Sequence, residues 1–412
     1  MASDPEVAII GAGAAGLAAA RVLLMAGMDT IVLEAKARIG GRAFTDKNSV
    51  GIAWDRGAHW LHNQGQNYFV RYAEHEGIPL EPVSETRKMW GNFGWSGDEF
   101  IKEYDAYCDL VFDRIAALGL EPVDRPVSDA LPPHHLYRPM FESWYAALSG
   151  MEPNRSSSWD DCRYRDDTGN RRVRCGYGAL LTRYGANVPV ETSTRVISID
   201  SSGPKIIIQT DRGRITASAV IVTVSNAVLS SEKISFSPAL PDAFTSALVG
   251  IPLGEAEKVA IAFNRDVFGL EDMHLFFLHP TLQVARFQIR PFGENIAIAY
   301  IAGCFARGLL EEGGAAMKDF ALSRLIDVFG TEIRHAVTAM QATHWCVDPH
   351  IGGGYSSARP GGADGRTVLA EPVNERLFFA GEAHAVDAYG TVHGAYNSGI
   401  DTARRVLAYL RN

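Results

Sequence analysis

Three stretches of this chain bring together residue types that could do chemistry. The first runs from Val7 to Glu34: an apolar Val7-Ala8-Ile9-Ile10, the glycines Gly11, Gly13 and Gly16, an Ala/Leu-rich segment stopped near Gly27, and Thr30-Ile31-Val32-Leu33 ending at Glu34. Gly11 permits a tight turn, Gly13 lets the backbone approach a diphosphate, and Gly16 allows close contact between helix and strand. The helix N-terminus at Ala14-Ala15 then faces the phosphate charge. Glu34, 23 residues after Gly11, can accept ribose hydroxyls and would repel a 2′-phosphate, which disfavours NADP; Ala35 follows it in the same cradle. The second stretch is Asp55-Arg56-Gly57-Ala58-His59-Trp60-Leu61-His62, where small residues permit a backbone to lie against a flat ring with aromatic residues at its border. The third set is dispersed: Lys258 in the apolar run Glu257 to Phe263, Tyr355 after Gly353-Gly354, and a Gly381-Glu382 turn followed by Gly390-Thr391-Val392.

These residues need elements to hold them. The pattern predicts a strand-helix-strand unit at the N-terminus, and no second GxGxxG follows a strand downstream, so a nicotinamide site is not expected. If the first cradle holds a redox cofactor other than a nicotinamide, molecular oxygen or a protein carrier is then the expected electron acceptor. From Glu81 to about Arg172 the chain turns helical and aromatic, with Tyr104, Tyr107, Phe112, Tyr137, Phe141, Trp144 and Tyr145, broken at Pro132-Pro133. β-Branched runs predict strands at 194–199, 205–210 and 219–224, then at 258–263, 275–278, 283–289 and 296–301, a helix over 315–329, a buried strand over 376–380 and a closing helix over 396–410. The expected division is a nucleotide-binding domain from 1–80, 173–236 and 345–412, and a substrate-binding domain from 81–172 and 237–344, with chemistry in the cleft between them.

Composition narrows the class. A chain of 412 residues exceeds one ordinary core, which predicts two domains. With 47% hydrophobic and 21% charged residues it reads as globular, and a net charge of −9 argues against a nucleic-acid partner. The five cysteines (Cys108, Cys162, Cys175, Cys304, Cys346) form no CxxC pair, so they read as reduced thiols of a cytoplasmic protein with no metal site. The N-terminus lacks a basic leader, and no run of about 18 apolar residues suggests a membrane span. The expected assembly is a monomer or homodimer.

Arg38-Ile39-Gly40-Gly41-Arg42 extends the cradle and resembles the GG-R extension of FAD-dependent oxidoreductases, in particular the flavin amine oxidases. The 57–62 run resembles the GASWIHG segment of polyamine and spermine oxidases, with His62 on the segment's histidine. Trp60 serves either the core or direct ring contact, and His62 either structure or the protonation of a bound amine. Val173 to Leu180 resembles the family's GG-x-x-x-L segment, which implies that the Val196 backbone meets adenine. Lys258 alone reads as an edge lysine, but it matches the K-x-x-x-x-F pattern that holds a water at the reactive flavin nitrogen.

Trp345-x-x-Asp348-Pro349 with Gly353-Gly354-Tyr355-Ser356, and Ala380-Gly381-Glu382 with Gly390 to Gly394, complete the resemblance. It implies an α/β fold: a Rossmann-like FAD-binding domain of the glutathione-reductase type with an α+β, discontinuous substrate domain. FAD is expected to contact Gly11, Gly13, Ala14, Ala15, Gly16, Glu34, Ala35, Gly41, Arg42, Gly57, Ala58, His59, Trp60, Val196, Trp345, Gly381, Glu382, Thr391 and Val392. Lys258, Tyr355, His62 and Thr391 are the expected catalytic set. Monoamine oxidases carry their flavin-linking cysteine where Gly354 stands, so non-covalent FAD is expected. Thr391, at the place of their second cage tyrosine, implies a wider slot, as in polyamine oxidases. The implied reaction is oxidation of an amine, polyamine-type favoured, to an imine, with O2 reduced to H2O2. An L-amino-acid oxidase, or a non-catalytic binding protein on the scaffold of the Rab GDP-dissociation inhibitors, is the alternative.

Overall fold

A computed structural model describes residues 4–84, 86–166, 168–278 and 284–411. The first strand, Val7–Ile10, is buried along its whole length, as befits a strand covered on both faces. It is the centre of a five-stranded sheet ordered Val190–Glu191, Thr30–Leu33, Val7–Ile10, Ala219–Val222, Leu377–Phe379, parallel throughout. Helix Ala14–Met25 crosses from the first strand to the second, and helix Val392–Arg411 lies against it at a glycine, Gly399, where a Cβ would collide with the Ala15 carbonyl. One face of the sheet buries Ile9, Leu17 and Val406; the other buries Ile10, Val222 and Phe379 with Phe244 and Leu248 of helix Asp242–Gly250.

Strands Val196–Asp200, Ile206–Thr210 and Gly213–Ala217 form an antiparallel meander, as their short β-branched runs predict. A seven-stranded sheet makes the other layer, ordered Val337–Ala342, Ala256–Phe263, Ile296–Ala302, Arg286–Ile289, Met273–Phe277, Arg87–Gly91, Gly94–Trp95. Gln283, the expected start of one of these strands, lies outside the described residues.

Period-2 alternation gives this sheet two unlike faces. Val259, Ile261, Phe287, Ile289, Ala297 and Ala299 point to a core closed by Met317, Ala321 and Leu325 of helix Gly314–Phe329, three residues spaced by one helical turn. The opposite face carries Lys258, Tyr300, Arg286, Gln288 and His274 beside an apolar patch of Ala260, Ala262, Ile296 and Ile298. Helices Asp98–Leu118 and Arg138–Ser149 pack their tyrosines and Phe141 together beyond it.

Candidate active site

The cradle forms as its glycines require. Gly11 has φ +108, a conformation that disfavours a side chain, and a Cβ there would lie 2.8 Å from Thr223 Oγ1. A Cβ on Gly16 would fall inside the Gly11 carbonyl. Beside Gly13, the N-cap of the helix begun by Ala14 and Ala15, there is instead open space, and no side chain caps the helix. A diphosphate fits that arrangement, because its oxygens would accept from the otherwise orphaned first-turn amides.

Glu34 is buried at the end of its strand, accepting from the backbone amides of Ala12 (2.8 Å) and Lys36 (2.9 Å). A carboxylate has about four acceptor positions, so two remain for hydroxyls. The Thr194 amide donates to the Glu34 carbonyl at 2.9 Å, which brings Val196 beside the acid, and Ala35 continues from it half-buried. Gly41, at φ +56, runs next to the Gly13 Cα.

A second cluster closes the far end. Arg42 donates to Glu382 (2.8 Å) and to the Gly354 carbonyl (2.7 Å), while Glu382 also accepts from Ser356 Oγ (2.6 Å) and the Gly390 amide (2.8 Å). Burial opposes ionisation of Glu382, yet Arg42, Ser356 and Arg366 outweigh it and hold its pKa below the ordinary value. Behind it lies Arg366, fully buried and bidentate on Asp160 (2.6 and 2.7 Å), also donating to Ser356 Oγ. Thr391 donates to the Ala388 carbonyl and accepts from the Gly394 amide (2.9 Å), so its hydroxyl caps the helix that Val392 begins.

Lys258 is the junction between the two layers. Its Nζ donates to the carbonyls of Asp55 (3.1 Å) and Gly57 (2.6 Å) and stands 4.9 Å from the Tyr300 ring centre. Burial pulls its pKa down to about 8, partly offset by Asp55. Trp345 donates from Nε1 to the Arg56 carbonyl at 3.0 Å, and its ring lies against Gly57, whose own Cβ would collide with the Arg42 carbonyl. Ala58 donates to that carbonyl at 3.2 Å. Gly57, Ala58, Lys258 and Trp345 therefore converge.

The flanking aromatic residues separate. His59 is buried with Nδ1 3.4 Å from Asp55 Oδ2, and burial favours its neutral form against the pull of that carboxylate. Trp60 stacks on Tyr300, with centroids 5.4 Å apart. His62 turns away, its Nδ1 within 3.2 Å of Asp166 and 3.1 Å of Asn170, with its ring 6.2 Å from that of Trp60. Tyr355 lies over Gly390 and donates its hydroxyl to the Ala147 carbonyl; burial raises its pKa.

Ala147 also lines a cavity of about 400 Å³ between helices Arg138–Ser149 and Gly303–Glu311 and the seven-stranded sheet, with Trp144, Phe276, Arg286, Tyr300 and Phe305 in its wall. Sequence reading missed Tyr300, Arg286, Gln288 and His274. Their signal was the one that exposed Lys258: polar residues at alternate positions of apolar strands. Also missed was the Asp160–Arg366 pair, which has no local signature.

The description "Flavin containing amine oxidoreductase" fits residues 14–112 and 123–407. Polyamine oxidase 4 of Oryza sativa subsp. japonica is 28% identical, covering 98% of this chain and 88% of its own length. Two solved structures share the fold at lower identity: cyclohexylamine oxidase from Brevibacterium oxydans IH-35A (18% identity, TM-score 0.83, 99% of this chain and 100% of that one) and putrescine oxidase bound to putrescine (19%, 0.82, 98% and 99%). Since the family match runs from the helix of the cradle through the Lys258 strand and into the closing helix, this chain is an enzyme of the flavin-containing amine oxidoreductase family.

Proposed function

We propose that this enzyme oxidises a small amine to an imine, with O2 as acceptor and H2O2 and the hydrolysed aldehyde as products. The observation that carries the reading is Lys258: a half-buried ammonium held on the carbonyls of Asp55 and Gly57, beside Tyr300, which itself lines the cavity, in the layer beyond the cradle. FAD, which family membership implies, supplies a two-electron acceptor for hydride from the carbon bearing the nitrogen. Gly11 to Gly16, Glu34, Arg42 and Glu382 would bind it, and Lys258 would hold a water close to the reacting atoms. Tyr355 orients the amine, with its ring fixed by the hydroxyl bond to Ala147.

Several finer points belong to the same reading. Non-covalent attachment is supported by Gly354, where an added Cβ would come within 2.8 Å of the Ala256 Cβ. The substrate division at 81–172 and 237–344 is supported by the seven-stranded sheet, all of whose strands fall inside it, although helix Asp242–Gly250 joins the core of the first sheet. Among the described residues no helix is long and apolar enough to cross a membrane, and the five cysteines are unpaired, which agrees with a reducing cytoplasmic setting. Polyamines are the first substrates to test, because the named relatives include a polyamine oxidase. An amine that also carries a carboxylate is a second reading, favoured by Arg286 in the cavity wall.

The decisive experiment is anaerobic mixing of the purified holoenzyme with putrescine, spermidine, spermine, aromatic monoamines and amino acids, followed by admission of air. Bleaching of the flavin band by an amine and its return with one H2O2 per turnover are expected. A flavin that no amine bleaches would overturn the reading.

A further inference from the structure

One cation in the cavity wall has no counter-ion among the described residues. Arg286 alternates with Phe287, which points into the core, so its own side chain leaves the sheet on the Tyr300 face and lines the cavity. Its Cζ lies 4.6 Å from the Phe276 ring centre, and its Nε is buried with no hydrogen-bond partner among the described residues. The groups that act on it electrostatically are Tyr300, Tyr104 and Arg87, and Arg87 is committed to Asp105 through two 2.7 Å bonds. Burial brings its pKa down to about 10, which leaves it cationic at neutral pH.

The two fully buried arginines among the described residues are paired. Arg172 is bidentate on Asp272 (2.6 Å each), and Arg366 is bidentate on Asp160. The cavity's own carboxylates do not serve Arg286: Glu142 is held by Arg138 (2.8 Å), Glu152 by Arg155 (3.2 Å) and the Cys304 amide, and Glu312 is exposed. A half-buried guanidinium without an anion keeps its donors free for a ligand, and its planar fork matches the two oxygens of a carboxylate.

Register places this charge relative to the chemistry. Tyr300 is paired with Lys258 on one side and Arg286 on the other. Adjacent strands lie about 4.8 Å apart, so the backbones of Lys258 and Arg286 are separated by about 10 Å across Tyr300. We infer that Arg286 is a substrate-binding residue, and that the amine taken by this cavity carries a carboxylate, not a second ammonium, at the end remote from the oxidised carbon. This rests on the proposal that the cavity serves amine oxidation, and it adds no step to that reaction. It revises the polyamine preference, since a cation fixed in the cavity wall repels a distal ammonium.

The test compares matched amines of three to six carbons that end in carboxylate, ammonium or methyl (for four carbons, 4-aminobutanoate, putrescine and butylamine), with butanoate as an unreactive probe. In the wild-type holoenzyme the carboxylate series is expected to show a kcat/KM at least about 10-fold above the ammonium series. Butanoate is expected to perturb the flavin spectrum saturably. Arg286→Met should lower kcat/KM for the best carboxylate about 100-fold while leaving butylamine within about threefold, and should abolish the butanoate signal; Arg286→Lys should retain part of both.

A structural defect would lower all substrates together, so the ratio of carboxylate to methyl substrate is the diagnostic quantity. Diamines preferred by the wild type, with no butanoate signal, would overturn the inference while leaving the oxidase reading intact. If no amine bleaches the flavin, the oxidase reading fails, and butanoate binding in wild type and Arg286→Met still decides whether Arg286 holds a carboxylate.

Discussion

The charged groups that frame the cradle and the polar groups on the Tyr300 face of the seven-stranded sheet are satisfied in opposite ways. Around the cradle, Glu34, Arg42, Asp160, Arg366 and Glu382 each meet a partner within 3 Å inside the protein. On the Tyr300 face of the other sheet and the Trp60 stacked on it, Arg286 Nε, Gln288 Nε2, Trp60 Nε1 and both ring nitrogens of His274 are buried without one among the described residues. Burial pushes His274 down to about 3, so it remains a neutral imidazole beside the cation of Arg286. Buried polar groups left unmet are expensive and uncommon in ordinary cores. A closed network fixes a shape suited to one constant occupant, whereas an open one leaves hydrogen-bonding groups that the protein itself does not satisfy.

That contrast is broken most directly at Asp160. Asp160→Ala leaves Arg366 buried without its bidentate partner, which should cost about 3–5 kcal/mol, read as a loss of thermal stability with release of flavin. A loss below about 1 kcal/mol would mean that the network is not structural. Lys258→Met should slow turnover or flavin reoxidation by about 100-fold, some 2.7 kcal/mol of transition-state stabilisation, and unchanged kinetics in both half-reactions would remove Lys258 from the chemistry.

The same variant has a pH signature. Because the folded-state pKa of Lys258 is depressed from 10.5 to about 8, the unfolded chain binds more protons between those values, and stability rises with pH across that window. Lys258→Met should flatten this rise in melting temperature; a wild-type profile falling from pH 8 to 10 would contradict it. The smallest effect is expected at Gln288, which is fully buried and accepts only a 3.3 Å bond from Tyr300. Gln288→Leu removes an unpaired amide and should shift stability by about 1 kcal/mol or less in either direction, measured by urea unfolding, whereas a loss above 3 kcal/mol would show that the cavity face is as closed as the cradle.

How much of this was legible in the sequence follows from where the partners lie along the chain. Gly11, Gly13, Gly16 and Glu34 sit within one strand-helix-strand unit, so local spacing carries the geometry. Lys258 was visible as a charge in an apolar strand, though not that its ammonium reaches back about 200 positions to Gly57. Tyr300, Arg286 and His274 become neighbours only through strand order, and the Asp160–Arg366 pair closes over 206 residues, a separation no local pattern encodes. His62 and Thr391 were found by motif alone. Their hydrogen bonds join one to Asp166 and Asn170 and the other to a helix cap, a distinction that residue type could not convey.

The hydroxyl bond from Tyr355 to Ala147 has a consequence for how such an enzyme diversifies. Cavity-wall positions such as Trp144, Phe276, Arg286 and Phe305 lie on elements away from the glycine cradle, so they are free to vary under selection for new substrates while cofactor loading is preserved. The Tyr355 tether is an exception, because it bonds an aromatic residue from the cradle's side to the backbone of the cavity helix. Retailoring the pocket is therefore cheap at side chains and constrained at the backbone of the Arg138–Ser149 helix, whose displacement would drag the tyrosine with it. Libraries aimed at altered selectivity should randomise the former and leave the path of the latter alone.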